Sequence, residues 1–173
     1  MSEQRETQAE VHPIVGVTAQ RMAELAGPLG WGDSCRLLTL EEAVAALRSH
    51  DFFVELTDAE LQDVARLAYE CRWSADSPIL HEKDEARNFC LLLDGLEALE
   101  KEVRLGPHSP ARRAIVEYLK PGDMMGWSSL VHPYLYTQSG VAVHPTRALC
   151  LDGQALRGLM QRHPHIGYVI MNR

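Results

Sequence analysis

The chain has 173 residues, 46% of them hydrophobic and 24% charged, with a formal net charge of −7. That length supports one domain of ordinary size plus an extension, with a core that needs neither metal nor disulfide. The acidic balance excludes a general nucleic-acid binder, which needs clustered Lys and Arg, and no apolar run approaches the roughly 18 residues of a membrane span.

Residues 1 to about 15 are polar and unpatterned, and "MSEQRETQAEVHP" lacks the basic and apolar regions of a signal peptide. A cytoplasmic protein is the expectation. Thr18 to Ala26 is expected as a short helix, stopped by the loop "GPLGWGD". Thr39 with Glu42 forms a capping box, in which each side chain satisfies the other residue's free backbone N–H. Leu40, Ala43, Val44 and Leu47 then fall on one helix face. A second capping box, Thr57 with Glu60, opens a helix through Leu61, Val64, Ala65 and Ala68.

After Cys71 the pattern changes to short apolar runs separated by turn signals. "PILH" precedes the charged turn "EKDEAR", and "NFCLLL" runs into Asp94-Gly95, a hairpin dipeptide. "LEALEKEVRL" has helix propensity, but Asp94-Gly95 before it and "GPHSP" after it make it a hairpin strand. "AIVEYL" ends at "KPGD", "SGVAV" ends at "HPTR", and "ALCL" follows as another strand. Strands at this spacing predict an all-β barrel or roll. Asp152 caps a helix carrying Leu156, Leu159 and Met160, which "RHPH" interrupts. A last helix then places Ile166, Val169 and Ile170 on one face, which suggests a homodimer seam through the C-terminal helix.

Cys35, Cys71, Cys90 and Cys150 include no C-x-x-C pair and are expected as buried free thiols. The only H-x-H, His163-Pro164-His165, lies at a helix junction, so no metal site is expected. No nucleophile elbow, Walker loop or dinucleotide fingerprint occurs, so no catalytic residue is assigned and no enzyme is expected. Arg104, Arg112 and Arg113 surround a turn-rich loop that reads as a solvated hairpin tip.

The segments "FFVELTDAELQDVARLAYECRW", "SPILHEKDEARNFCLLLDG", "VEYLKPGDMMGWSSL" and "ALCLDGQALRGLMQRHPHIG" together resemble the cyclic-nucleotide-binding domain of catabolite activators and kinase regulatory subunits. The likeness runs from about Phe52 to the C-terminus. It implies an α+β fold, a cupin-like double-stranded β-roll (jelly roll) flanked by N- and C-terminal helices. Residues 1-50 would be a partly helical extension, and 51-173 the domain, ending in a truncated C-terminal helix.

In that family the segment after "PGD-x-x-G" is the phosphate-binding cassette. Its expected ligand residues here are Gly126, Trp127, Ser128, Ser129, Leu130, Tyr136, Thr137 and Gln138. The nucleotide binders have a Glu after the glycine and an Arg before the next strand. This chain has Trp127 in the first place and Tyr136, or Thr137, in the second. Losing the charge-assisted partners removes on the order of 1.5–3 kcal/mol per hydrogen bond. The resemblance therefore implies a regulatory or sensor module that holds a cyclic nucleotide weakly or not at all, and needs no cofactor. Two readings stay open: Trp127, Tyr134 and Tyr136 line a pocket for another small ligand, or they fill it. Tyr168 and Met171 are expected lid contacts from the closing helix. Asp76 and Lys83 stand where the family has turn glycines, which predicts slightly altered turns, while Gly95 and Gly122 are kept.

Overall fold

The computed structural model describes residues 32–106 and 109–173. The expected helix at Thr18–Ala26 and the loose first residues lie outside them. The element order is β1 (Ser34–Leu37), α1 (Leu40–Arg48), α2 (Asp58–Ala65), β2 (Ala68–Trp73), β3 (Pro78–Leu80) and β4 (Asn88–Val103). Then follow β5 (Arg112–Leu119), β6 (Met124–Met125), β7 (Ser139–Asp152), α3 (Gly153–Arg162) and α4 (Pro164–Met171). The sheet is antiparallel in order β1-β2-β7-β4-β5, with β3 paired to β7 and β6 to β4. This is the α+β β-roll with flanking helices that the sequence implies.

Both capping boxes form. Thr39 and Glu42 exchange backbone bonds at the start of α1, and Thr57 and Glu60 do so at α2. Each satisfies N–H groups that would otherwise be orphaned, stabilising its helix by about 1 kcal/mol. Asp152 caps α3 as expected. Helix α2, however, ends at Ala65, and Ala68 begins strand β2. Four of the first four residues of β2 are buried, so its apolar run carries no two-residue alternation to separate it from the helix before it.

Strands β4 and β7 divide two cores between their faces. Phe89, Leu91, Leu149 and Leu151 pack with the helices, beside Leu47, Leu61, Val64, Leu156 and Ile170. Cys90, Leu92, Ala148 and Cys150 point the other way, into the roll, beside Tyr69, Trp73, Leu119 and Tyr136. This alternation is the strand period of two, with both faces buried. Strand β1 pairs with β2, and Ala43 and Leu47 of α1 are buried in the helical core, so residues 34–48 pack directly on the roll.

Three sequence expectations are corrected. Asp94-Gly95 does not turn a hairpin: β4 continues through it with a bulge, and Gly95 takes φ of +97° where a Cβ would collide with the Pro145 carbonyl. Opposite that bulge, β7 also runs unbroken, so "SGVAV" and "ALCL" are one strand and Pro145 is absorbed at the irregularity. Cys35 and Cys71, expected as free thiols, form a disulfide across the β1–β2 register, while Cys90 and Cys150 are free and buried. The "LEALEKEVRL" strand does pair as a hairpin with β5.

Asp76 and Lys83 adopt φ of 64° and 75°, so both turns keep the left-handed backbone that favours glycine. The apolar face of α4 that suggested a dimer seam is covered by the chain's own core: Ile166, Val169 and Ile170 are all buried. None of the helices among the described residues is long and apolar enough to cross a membrane.

On the outer face of β2, buried Glu70 is ringed by Arg72, Arg147 and Arg36 at 2.9, 3.2 and 3.4 Å. Burial alone would raise its carboxyl pKa, but hydrogen bonds from Arg72 and Arg147 and the charge of Arg36 hold it below the ordinary range. Replacing Glu70 with Gln leaves three guanidinium groups crowded without their counter-charge. The arginines are half exposed, so the expected loss is about 1–2 kcal/mol, read as a lower urea midpoint at unchanged slope. An unchanged midpoint would show the cluster to be energetically idle.

Candidate functional site

The site grows from a turn. After β6, Gly126 takes φ of +79°, and a Cβ there would collide with the Asn88 carbonyl of β4. Only glycine lets the backbone pass that close in that conformation. The next residues, Trp127–Ser129, form a 3-10 turn.

Trp127 packs toward the helical core. Its ring packs edge-to-face on Phe89 at 4.9 Å and on Phe52 at 5.9 Å, and remains 36% exposed. Ser129 and Leu130 are buried on the helical side. The Ser129 β-carbon abuts Gly153 at the start of α3, and its carbonyl accepts a hydrogen bond from the Arg157 guanidinium. That guanidinium lies 4.0 Å above the Tyr134 ring.

The chain then returns along the turn before β4. Ala86 N–H donates to the Tyr134 carbonyl, Tyr136 N–H to the Asp84 carbonyl, and Lys83 N–H to the Tyr136 carbonyl. These bonds aim the Tyr136 ring into the roll, where it is 5% exposed. Burial pushes its hydroxyl pKa far above the usual phenol value.

Between these segments lies a cavity of about 430 Å³. Of the expected ligand residues it is lined by Gly126, Trp127, Ser128, Tyr136, Thr137 and Gln138. Ser129 and Leu130 face the helices instead, and Tyr134 faces Arg157. Leu80, Leu99, Leu119, Met124 and Met125 supply the apolar wall. Glu117 and Asp123 supply carboxylates, and Arg173 supplies the guanidinium. Arg173 is engaged by Glu55 at 2.9 Å and by the Asp51 carbonyl at 3.3 Å. Tyr168 and Met171, expected as lid contacts, are exposed and outside this lining; Arg173 is the C-terminal residue that reaches it.

Sequence reasoning missed Arg173, Glu117 and the residues just behind the wall. Foremost among these is Glu97 of β4, which is fully buried and has neither carboxylate oxygen hydrogen-bonded to any described residue. Burial raises its pKa from 4.5 to about 8. No cluster of His, Cys, Asp or Glu among the described residues could hold a metal ion.

These residues build a double-stranded roll closed by helices, with a glycine turn beside a cavity. The cyclic nucleotide-binding domain model matches residues 70–163. A solved cyclic nucleotide-binding protein of Geobacter metallireducens is 32% identical, covering 79% of this chain and 92% of its own, with a TM-score of 0.66. The chain belongs to the cyclic nucleotide-binding domain family. The fold also matches the regulatory domain of Toxoplasma gondii protein kinase A, solved with cAMP, at 18% identity and TM-score 0.63. That match covers 77% of this chain and 47% of the other. The Thermus thermophilus catabolite activator protein matches at 22% identity and TM-score 0.59, over 70% and 55% of the two chains. No curated protein matches the sequence significantly.

Proposed function

We propose that the chain is a non-enzymatic sensor module whose roll accepts a small molecule, with cyclic nucleotides held weakly or not at all. The observation that carries this reading is the open cavity beside Gly126: its volume of about 430 Å³ falls in the range of small-molecule sites, roughly 300–1,000 Å³. Trp127 rests on Phe52 and Phe89, so it does not close that space. This favours a ligand chamber over a filled, purely structural core.

The wall argues against an anion. Its two carboxylates outnumber its one guanidinium, and that guanidinium is already paired with Glu55. The Toxoplasma domain was solved with cAMP. Here no cationic side chain of the cassette stands at the cavity, and a phosphate would lose charge-assisted bonds there.

Thermal unfolding with 1 mM cyclic AMP or cyclic GMP tests this. A ligand at 100 times its Kd adds about 2.7 kcal/mol, a midpoint shift of roughly 5–10 °C for a chain of this size. We expect less than about 1 °C from either nucleotide, well under that stabilisation. A shift of the full size would mean that the aromatic cassette holds the cyclic phosphate in another way, and the reading would fall.

A further inference from the structure

Glu97 sits opposite Leu119 of β5 and Ala142 of β7. Leu99, two positions along β4 with the register unbroken between them, sits opposite Gly140. Residues two apart on a strand share a face, and both Leu99 and Leu119 line the cavity. Glu97 therefore points into the roll, on the same face as Leu99 of the cavity wall.

Its carboxyl occupies room left by a glycine. A Cβ on Gly140 would collide with Glu97 Oε1, and the nearest other atom is Leu80 Cγ at 3.1 Å. Leu80 itself lines the cavity, so the acid and the cavity wall come together at Gly140. Glu97 is completely buried, and neither oxygen has a hydrogen-bond partner among the described residues. Leucine would fill similar space without the penalty of an unsatisfied buried carboxyl, which is several kcal/mol for the charged form. An acceptor of this kind calls for a donor that none of the described residues supplies. The nearer wall carries the same sign, through Glu117 and Asp123.

We propose that the cavity takes a small ligand bearing a cationic nitrogen, an amine or amidine in chemical class, with Glu97 as its deep acceptor. The inference rests on the ligand-chamber reading above and deepens it. The cation enters past Leu80, Glu97 releases its proton to solvent, and the ligand's N–H groups meet the two carboxylate oxygens, with its apolar body against Leu99, Leu119 and Met125. Glu117 draws it toward the mouth. An anion of equal shape meets the Glu117 and Asp123 carboxylates of the wall and, beyond them, an acid that cannot pair with it.

Benzamidine, benzamide and benzoate share one shape and differ in charge and donors, so they test this directly. The amide resonances of Leu80, Leu99 and Gly140 are followed by NMR during titration with each. Benzamidine is expected to bind at least ~10-fold tighter than benzoate, the scale set by a charge-assisted contact. Glu97→Gln and, separately, Glu97→Leu should bring benzamidine down to the level of benzamide. If benzoate equals benzamidine, or the preference survives both variants, the assignment to Glu97 is wrong while the chamber still binds ligands. If all three compounds leave those resonances unmoved, the inference and the chamber reading fail together.

Discussion

Raising the pH from 5 to 8 should destabilise the ligand-free protein by about 3–4 kcal/mol more than its Glu97→Gln variant. The sign follows from the direction of the shift. The carboxyl titrates near 8 in the folded chain, against 4.5 for the ordinary group. Below pH 4.5 both states bind the proton and nothing is lost. Between the two values the unfolded chain ionises while the folded chain stays protonated, so stability falls by about 1.4 kcal/mol per pH unit. Above pH 8 the loss is complete. Carboxylates held below their usual range, such as Glu42 and Glu70, titrate at lower pH and act equally on both proteins. For a chain of this size the difference corresponds to roughly 10 °C in midpoint. Parallel pH profiles for the two proteins would show that Glu97 does not titrate in this window.

Reduction of the Cys35–Cys71 bond should cost a comparable amount. The bridge closes a sequence separation of 36 residues, for which loop-closure entropy predicts about 3–4 kcal/mol. The enclosed segment contains α1 and α2, which pack on the helical core through Ala43, Leu47, Leu61 and Val64. Without the bridge, β1 is held at the sheet edge by its pairing with β2 and by Arg36, which reaches Glu70 and Glu42. Chemical unfolding of the oxidised protein, of the protein in excess dithiothreitol, and of Cys35→Ser should place the last two together and well below the first. If all three coincide, the bridge contributes nothing to the folded state.

Much of the fold was legible in local chemistry. Thr39 with Glu42 and Thr57 with Glu60 announced two helices because capping boxes are short-range devices, and Asp152 announced a third. The failures all arise where pairing between distant segments overrides local pattern. Leu67 and Ala68 extend the apolar run of α2, yet Ala68 pairs with Leu151. "HPTR" reads as a break, yet a bulge at Gly95 takes up the proline and the strand continues. Cys35 meets Cys71 only because β1 and β2 align them, and nothing in their spacing announces it.

Glu97 was hidden by the same bulge. In "LEALEKEV" simple alternation puts Leu96 and Ala98 inside and Glu97 in solvent. The register shift between Leu96 and Glu97 changes that parity and turns the acid inward. The cassette was legible as a glycine turn followed by Trp127, and six of its eight expected residues do meet at one cavity. That Ser129 and Leu130 turn to the helices depends on Gly153 and Arg157, which lie beyond any local window.

Strands β4 and β7 have a mechanical consequence. One ladder carries both ends of the molecule: Asn88 opposite Asp152 beneath the helices, and Glu100 opposite Ser139 beside the chamber. Outside this ladder, the segment between Gly126 and Ser139 joins β6 to β7. At one end that segment is strapped to α3 by the Arg157–Ser129 bond, and at the other it is tied to β4 by Lys101 on the Thr137 carbonyl. The cavity lining, through Ser128 and Thr137, therefore stands directly beside both ties, one running to the helices and one to the sheet.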